Sequence, residues 1–292
     1  MINSPLDQFK YFFKQKTILV QLIKINVFIW LFITFVSLFS FLFRFEITDD
    51  LIKWLALPSG IDSYISRPWT IITYMFLHQD FFHIFFNMMM LFFGGYLFTQ
   101  YIGSKKLLPT YIWGGIFGGI FYVLSFNIFP AFNQLVSFSV ALGASASVIA
   151  IVIAIATFKP ETEVQLMFLG NVKLKYIGIG LLIIDLVSIQ KENPGGHIAH
   201  LGGALYGFLF ALNLKNKFVK FPDFTIKNPF QRKPKLKFYK NENPGRPLTD
   251  DEFNRQKAEK QKRIDLILDK ISKSGYDQLS KEEKEFLFKS SN

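Results

Sequence analysis

Cysteine is absent from this 292-residue chain. Disulfides and thiolate metal sites are therefore excluded, and the redox compartment stays open. Charge is scarce through the middle of the chain, whereas basic residues crowd the N-terminus and the last quarter. Histidine is scarce too: the four are His78, His83, His197 and His200. No small-residue cleavage site follows the first apolar run, which is also too long for a cleavable signal. What is abundant is apolar bulk. Half of the residues are hydrophobic and 36 are phenylalanine, a load that points to a membrane class. The net charge of +11 is uneven, and in a membrane protein it reads as topology before it reads as nucleic-acid binding.

A helix needs about 20 apolar residues to cross the hydrocarbon core. Six segments are expected to do so: Ile25–Phe43, Phe81–Tyr101, Leu107–Phe129, Leu135–Phe158, Tyr176–Ile189 and Ile198–Leu214. The expectation is an all-α, polytopic six-helix bundle over residues 25–214, after an N-terminal segment 1–24. Lys10, Lys14, Lys16 and Lys24 precede the first span; Lys105 and Lys106 follow the second; Lys159, Lys173 and Lys175 follow the fourth. A basic tail follows the sixth. With alternating spans, all fall on one side, which puts both termini in the cytoplasm. The loop 44–70 has mixed charge and apolar stretches such as 54–57, so a partly embedded loop is expected there.

Span parity then has a chemical consequence. Even-numbered spans begin on the outer side, so His78, His83, Asn87, Ser145, His197 and His200 all fall near outer helix ends. Intramembrane polar residues are expensive and usually face a bundle interior or a water-filled cavity. His83 and Asn87, four apart, share a helix face. Gly203 and Gly207 form a small-residue surface that admits a close neighbour, and span 4 has its own stripe of Gly143, Ser147, Ala150 and Ala154. Two such helices can bring a serine hydroxyl to an imidazole, the arrangement that activates a nucleophile. Asn87 and His83 then supply donors for a developing oxyanion. Each residue alone also has a plain reading. A transmembrane serine commonly bonds back to a carbonyl, and spacing leaves Ser145 and Ser147 both open.

Span 2 carries HQDFFHIFFN, span 4 carries GASA and span 6 carries AHLGGALYG; RPWTIITYMFLH precedes span 2. Together these motifs resemble the rhomboid intramembrane serine proteases. The resemblance covers about residues 25–214. It implies a Ser–His dyad without a third acid, with Ser145 as nucleophile and His200 as base. His83 and Asn87 match the oxyanion-stabilising residues, and His78 the outer, mainly structural histidine. Substrates would be transmembrane segments of other membrane proteins, with span 5 and its loop as a lateral gate. No cofactor, metal or nucleic acid is implied, and the lipid bilayer is the other partner. A bacterial inner membrane is the expected location.

Two positions depart from the family pattern. Ala146 stands where a second glycine is usual, adding a methyl at a close helix approach. Ile149 stands where many members stack an aromatic on the catalytic histidine, so that ring needs another support. Asp185 is not a triad acid by this resemblance and reads as a polar spot near a span end. Two other functions compete: a catalytically inactive rhomboid-like protein that binds membrane clients, and a metal or haem site built from His83, His197 and His200. No cysteine or HExxH motif accompanies those histidines.

Residues 215–248 read as a basic juxtamembrane linker and 249–292 as a small helical tail on the cytoplasmic side. The linker would be drawn to anionic headgroups by about 1 kcal/mol per basic residue near the surface. Thr249–Glu252 and Ser280–Glu283 are predicted capping boxes, and Gly275 a helix stop between them.

Overall fold

A computed structural model describes residues 13–166, 170–191, 193–216 and 249–290. The chain forms two compact units, one within residues 1–232 and one within 233–292.

In the first unit, α1 spans Ile18–Phe43, opened by Thr17, whose hydroxyl accepts from the Val20 amide. The cap sets the start ahead of the expected Ile25, so Lys24 lies inside the helix rather than before it. Three short helices follow, α2 (Ile47–Leu55), α3 (Ile61–Ser66) and α4 (Thr70–Thr73). They fill the expected partly embedded loop, pinned by the stacked Trp54 and Trp69 rings 5.5 Å apart. Next come α5 (Phe81–Tyr101) and α6 (Leu107–Ile128).

The fourth apolar segment departs from expectation. Its helix, α7, spans only Ser145–Phe158 instead of starting at Leu135. Val140–Ala141 (β2) instead pairs antiparallel with Leu57–Pro58 (β1). Gly143 follows with φ of +133°, outside the helical region and readily adopted only by glycine. An apolar run does not by itself distinguish a strand from a helix. The rest of the unit is α8 (Leu174–Ser188) and α9 (Pro194–Asn216), preceded by a hairpin of β3 (Glu163–Leu166) and β4 (Gly170–Lys173). Proline suits a first helical position, and α9 therefore begins before the expected Ile198 and contains both His197 and His200.

Among the described residues four helices are long and apolar enough to cross a membrane: α1, α5, α9 and the one that runs through α6. At 14 and 15 residues, α7 and α8 are shorter than the spans expected there. The chain is mostly helical, and phenylalanines such as Phe28, Phe35, Phe82 and Phe93 face outward, as lipid contact requires.

The core is built around α7, which is buried from Ala146 to Ala156. Glycines on its neighbours make this possible. A Cβ at Gly203 or Gly207 of α9 would strike the backbone oxygen of Ala146 or Ala150. A Cβ at Gly114 of α6 would strike the Ala150 methyl, and one at Gly94 of α5 would lie 2.7 Å from Val152. Without a hydrophobic drive between helices in lipid, such close packing is a main source of association.

The second unit holds α10 (Asp250–Ser274) and α11 (Lys281–Ser290). Thr249 and Glu252 form a reciprocal capping box, and Ser280 and Glu283 do the same for α11. Gly275, at φ of +80°, ends α10. Lys270 pairs with Glu283 at 2.9 Å, and the Arg263 guanidinium lies 4.5 Å from the Phe286 ring centre. The expected linker 215–248 begins inside α9, which holds Lys215 and Asn216, and the rest of it lies outside the described residues, as do 1–12 of the N-terminal segment.

Candidate active site

Because α7 starts late, Ser145 is its first residue and opens onto a cavity of about 1350 Å³. His83, Asn87 and His200 line the same cavity. These are the four site residues read from the sequence, carried by α5, α7 and α9. Ser147 lines none of it. Its hydroxyl is fully buried, and a Cβ at Gly115 would lie 2.6 Å from it. Geometry therefore separates two serines that spacing left equivalent.

Asp80 caps α5, accepting from the His83 amide at 2.9 Å, and so fixes the first turn that carries His83. The Gln79 amide points at His83 Nδ1 over a long 3.5 Å. That contact leaves Nε2 to bear the proton. Nε2 faces Gly143: a Cβ there would lie 2.8 Å from it and 3.6 Å from Ser145 Oγ. Gly143 is held in turn by its amide donating to the Tyr74 carbonyl at 2.9 Å. Asn87 is buried and gives one amide hydrogen to the His83 carbonyl at 2.9 Å, leaving the other for the cavity. His78, 4% exposed, packs edge-on against His83, and neither of its ring nitrogens meets a partner among the described residues.

Among the described residues no hydrogen bond closes onto Ser145 Oγ, from His200 or any other group. Catalytic hydrogen bonds are often loose before substrate arrives and tighten in the complex.

Asp185, read from the sequence only as a polar spot near a span end, has a larger place in the structure. It is 4% exposed, in the last turn of α8, and its Oδ1 lies 2.7 Å from His200 Nδ1 and 2.8 Å from His197 Nδ1. A signal was present: a lone carboxylate in an apolar segment is by default a functional candidate with a partner to be found. The ligand atoms of Asp185, His197 and His200 lie within 4.8 Å of one another, a donor set a metal ion would accept. His83, which the sequence grouped with the other two histidines, is not in that set.

Both departures from the family pattern acquire a context. The Ala146 methyl lies where Gly118 of α6 leaves room, since a Cβ at Gly118 would stand 2.5 Å from it. Ile149 packs with Ile153, Ala204 and Leu182 and offers His200 no hydrogen bond.

Serine, histidine and amide groups thus converge on one cavity of a bundle whose long helices are apolar enough for a membrane. A family model described as the Rhomboid domain matches residues 66–217, and a family of unknown function (DUF6576) matches 249–292. The chain belongs to the rhomboid family and is an integral membrane protein. It is 32% identical over 155 residues to "RHOMBOID-like protein 12, mitochondrial" of Arabidopsis thaliana, covering 50% of this chain and 46% of that protein. It is 33% identical over 82 residues to "Inactive RHOMBOID-like protein 8" of the same plant, covering 28% of this chain and 23% of that protein. The chain thus matches less than half the length of either relative. Both being plant proteins, they lend no support to a bacterial inner membrane.

Proposed function

We propose that the chain is a serine endopeptidase that cuts transmembrane segments of other membrane proteins. The observation that carries this reading is the shared cavity: Ser145, His200, His83 and Asn87 reach it from three helices. On this reading α7 and α8 complete a six-span bundle with the four long helices, and both termini lie on the positive, cytoplasmic side.

The chemistry follows from the groups in place. His200 Nε2 takes the Ser145 proton as Oγ attacks the scissile carbonyl carbon. The carbonyl electrons move onto oxygen, where His83 Nε2–H and the free Asn87 amide hydrogen stabilise the charge. The tetrahedral species collapses, the C–N bond breaks, and His200 returns its proton to the leaving amine. Water then attacks the acyl-serine by the same route, releasing the new carboxyl terminus and restoring Ser145.

A second reading has one observation in its favour, the relative named inactive: a client-binding protein that grips membrane segments without cutting them. One experiment separates the two. The full chain is reconstituted with a transmembrane reporter, beside Ser145→Ala and His200→Ala, and labelled with a fluorophosphonate. Cleavage and labelling lost in both variants support the protease. Reporter binding without cleavage or labelling in the wild type supports the binder.

A further inference from the structure

We propose that Asp185 is a positioning residue for His200, so that the reacting pair is held by a carboxylate from a third helix. The inference rests on the reading of Ser145 and His200 as that pair.

The geometry begins with the helix period. His197 and His200 are three apart on α9 and share a face. That face meets the last turn of α8, where one oxygen of Asp185 stands 2.8 and 2.7 Å from the two Nδ1 atoms. An ionised carboxylate only accepts hydrogen bonds. Both contacts therefore require a proton on Nδ1. In neutral His200 that proton on Nδ1 leaves Nε2 with its lone pair, the form a base needs to receive the Ser145 proton. When the imidazole becomes imidazolium during attack, the same carboxylate lies beside the new charge. Asp185 touches neither serine nor scissile bond; it acts through the ring.

Burial makes the bond worth more than a surface contact. Asp185 is 4% exposed, in an environment where a hydrogen bond is strong and an unpaired charge costly. The aliphatic Ile149 cannot set the ring's tautomer, and the carboxylate can. His197 takes the second bond to the same oxygen, which buttresses the acid from the start of α9.

The alternative use of the same three ligands is a metal ion. The two contacts of 2.7 and 2.8 Å to a single oxygen are hydrogen-bond lengths, and they favour the positioning role.

The test compares wild type, Asp185→Asn, Asp185→Glu and His200→Ala in lipid nanodiscs, with histidine labelled by ¹⁵N. The isosteric amide offers His200 a donor where it had an acceptor and so favours the wrong tautomer. Asp185→Asn is expected to lower kcat by on the order of 100-fold or more with KM nearly unchanged, and Asp185→Glu to recover part of the loss. A downfield Nδ1 proton signal, assigned to His200 by its loss in His200→Ala, is expected in wild type and absent in Asp185→Asn. Should wild type cut and Asp185→Asn cut equally well, the proposal fails and the protease reading stands. Should wild type cut nothing, the protease reading fails, and the spectrum alone decides: an Nε2–H tautomer of His200 in wild type overturns the proposal. The spectrum also decides if Asp185→Asn does not fold. One equivalent of zinc retained through chelator washes would overturn the proposal in favour of a metal centre.

Discussion

The methyl group of Ala146 occupies the room that Gly118 leaves open on α6, so the extra carbon beside Ser145 is matched by a missing one across the interface. The Ala199 carbonyl would lie 2.8 Å from a Cβ at Gly118, so three helices meet there. Gly118→Val is expected to destabilise the fold by about 1–3 kcal/mol, the usual cost of overpacking. Ala146→Gly should fold normally and keep the site. Thermal unfolding in detergent, followed by intrinsic fluorescence, checks both.

The two serines of α7 should respond in opposite ways. Ser145→Ala is expected to abolish fluorophosphonate labelling and reporter cleavage. Ser147 has a buried hydroxyl without a partner among the described residues, and removing an unsatisfied polar group is neutral or stabilising. Ser147→Ala should therefore keep full labelling and unfold at the same temperature or higher. Retained cleavage in Ser145→Ala would move the nucleophile elsewhere.

For the oxyanion donors, the expected signature is kinetic. His83→Ala and Asn87→Ala should each lower kcat by about 10²–10³-fold, the usual loss for one such donor. Reporter affinity should change little, because the donors meet charge that develops only during attack. Single-turnover cleavage beside equilibrium binding of the reporter to a Ser145→Ala background separates the two quantities.

Outside the membrane, Glu161 ties the β3–β4 hairpin down. Lys173 and Lys175 donate to its two oxygens at 2.8 and 2.6 Å and pull its carboxyl down to about 2. A carboxyl lowered on folding adds stability above its ordinary range and loses it as pH falls through the folded value. The tie is thus whole at neutral pH and fades from about pH 4.5 towards 2. Backbone amide exchange over residues 162–166 and 170–175 should quicken across that window, and Glu161→Gln should show the faster rate throughout. Being exposed, the tie should also weaken in high salt.

Much of this was legible in the sequence because the strongest signals were local. Apolar runs marked α1, α5, α6 and α9, and capping pairs marked both helices of the tail. The polar residues near the starts of α5, α7 and α9 were grouped by counting spans. The start of α7 was hidden, because Val140–Ala141 finds its partner at Leu57–Pro58, more than eighty residues away, and nothing local announces that pairing. Asp185 was hidden for a related reason. Its partners lie on the next helix, and only the packing of α8 on α9 shows that one oxygen meets two imidazoles. Spacing left Ser145 and Ser147 open and the family resemblance pointed to Ser145; the physical reason, the close approach of Gly115 to Ser147, is a contact between helices rather than a spacing within one.

The late start of α7 makes that helix a ruler. Its 14 residues measure roughly 21 Å, some 9 Å short of a hydrocarbon core about 30 Å thick. On the protease reading, with the far end of α7 at one interface, where Lys159 lies over the Tyr101 ring, Ser145 stands about 9 Å below the other and reaches only about the first two turns of a client entering there. A client helix presents no free carbonyl there until those turns open. Susceptibility should then follow the ease of unwinding near one end of the client, with glycine and proline at those few positions counting for more than the chemistry of the bond that is cut.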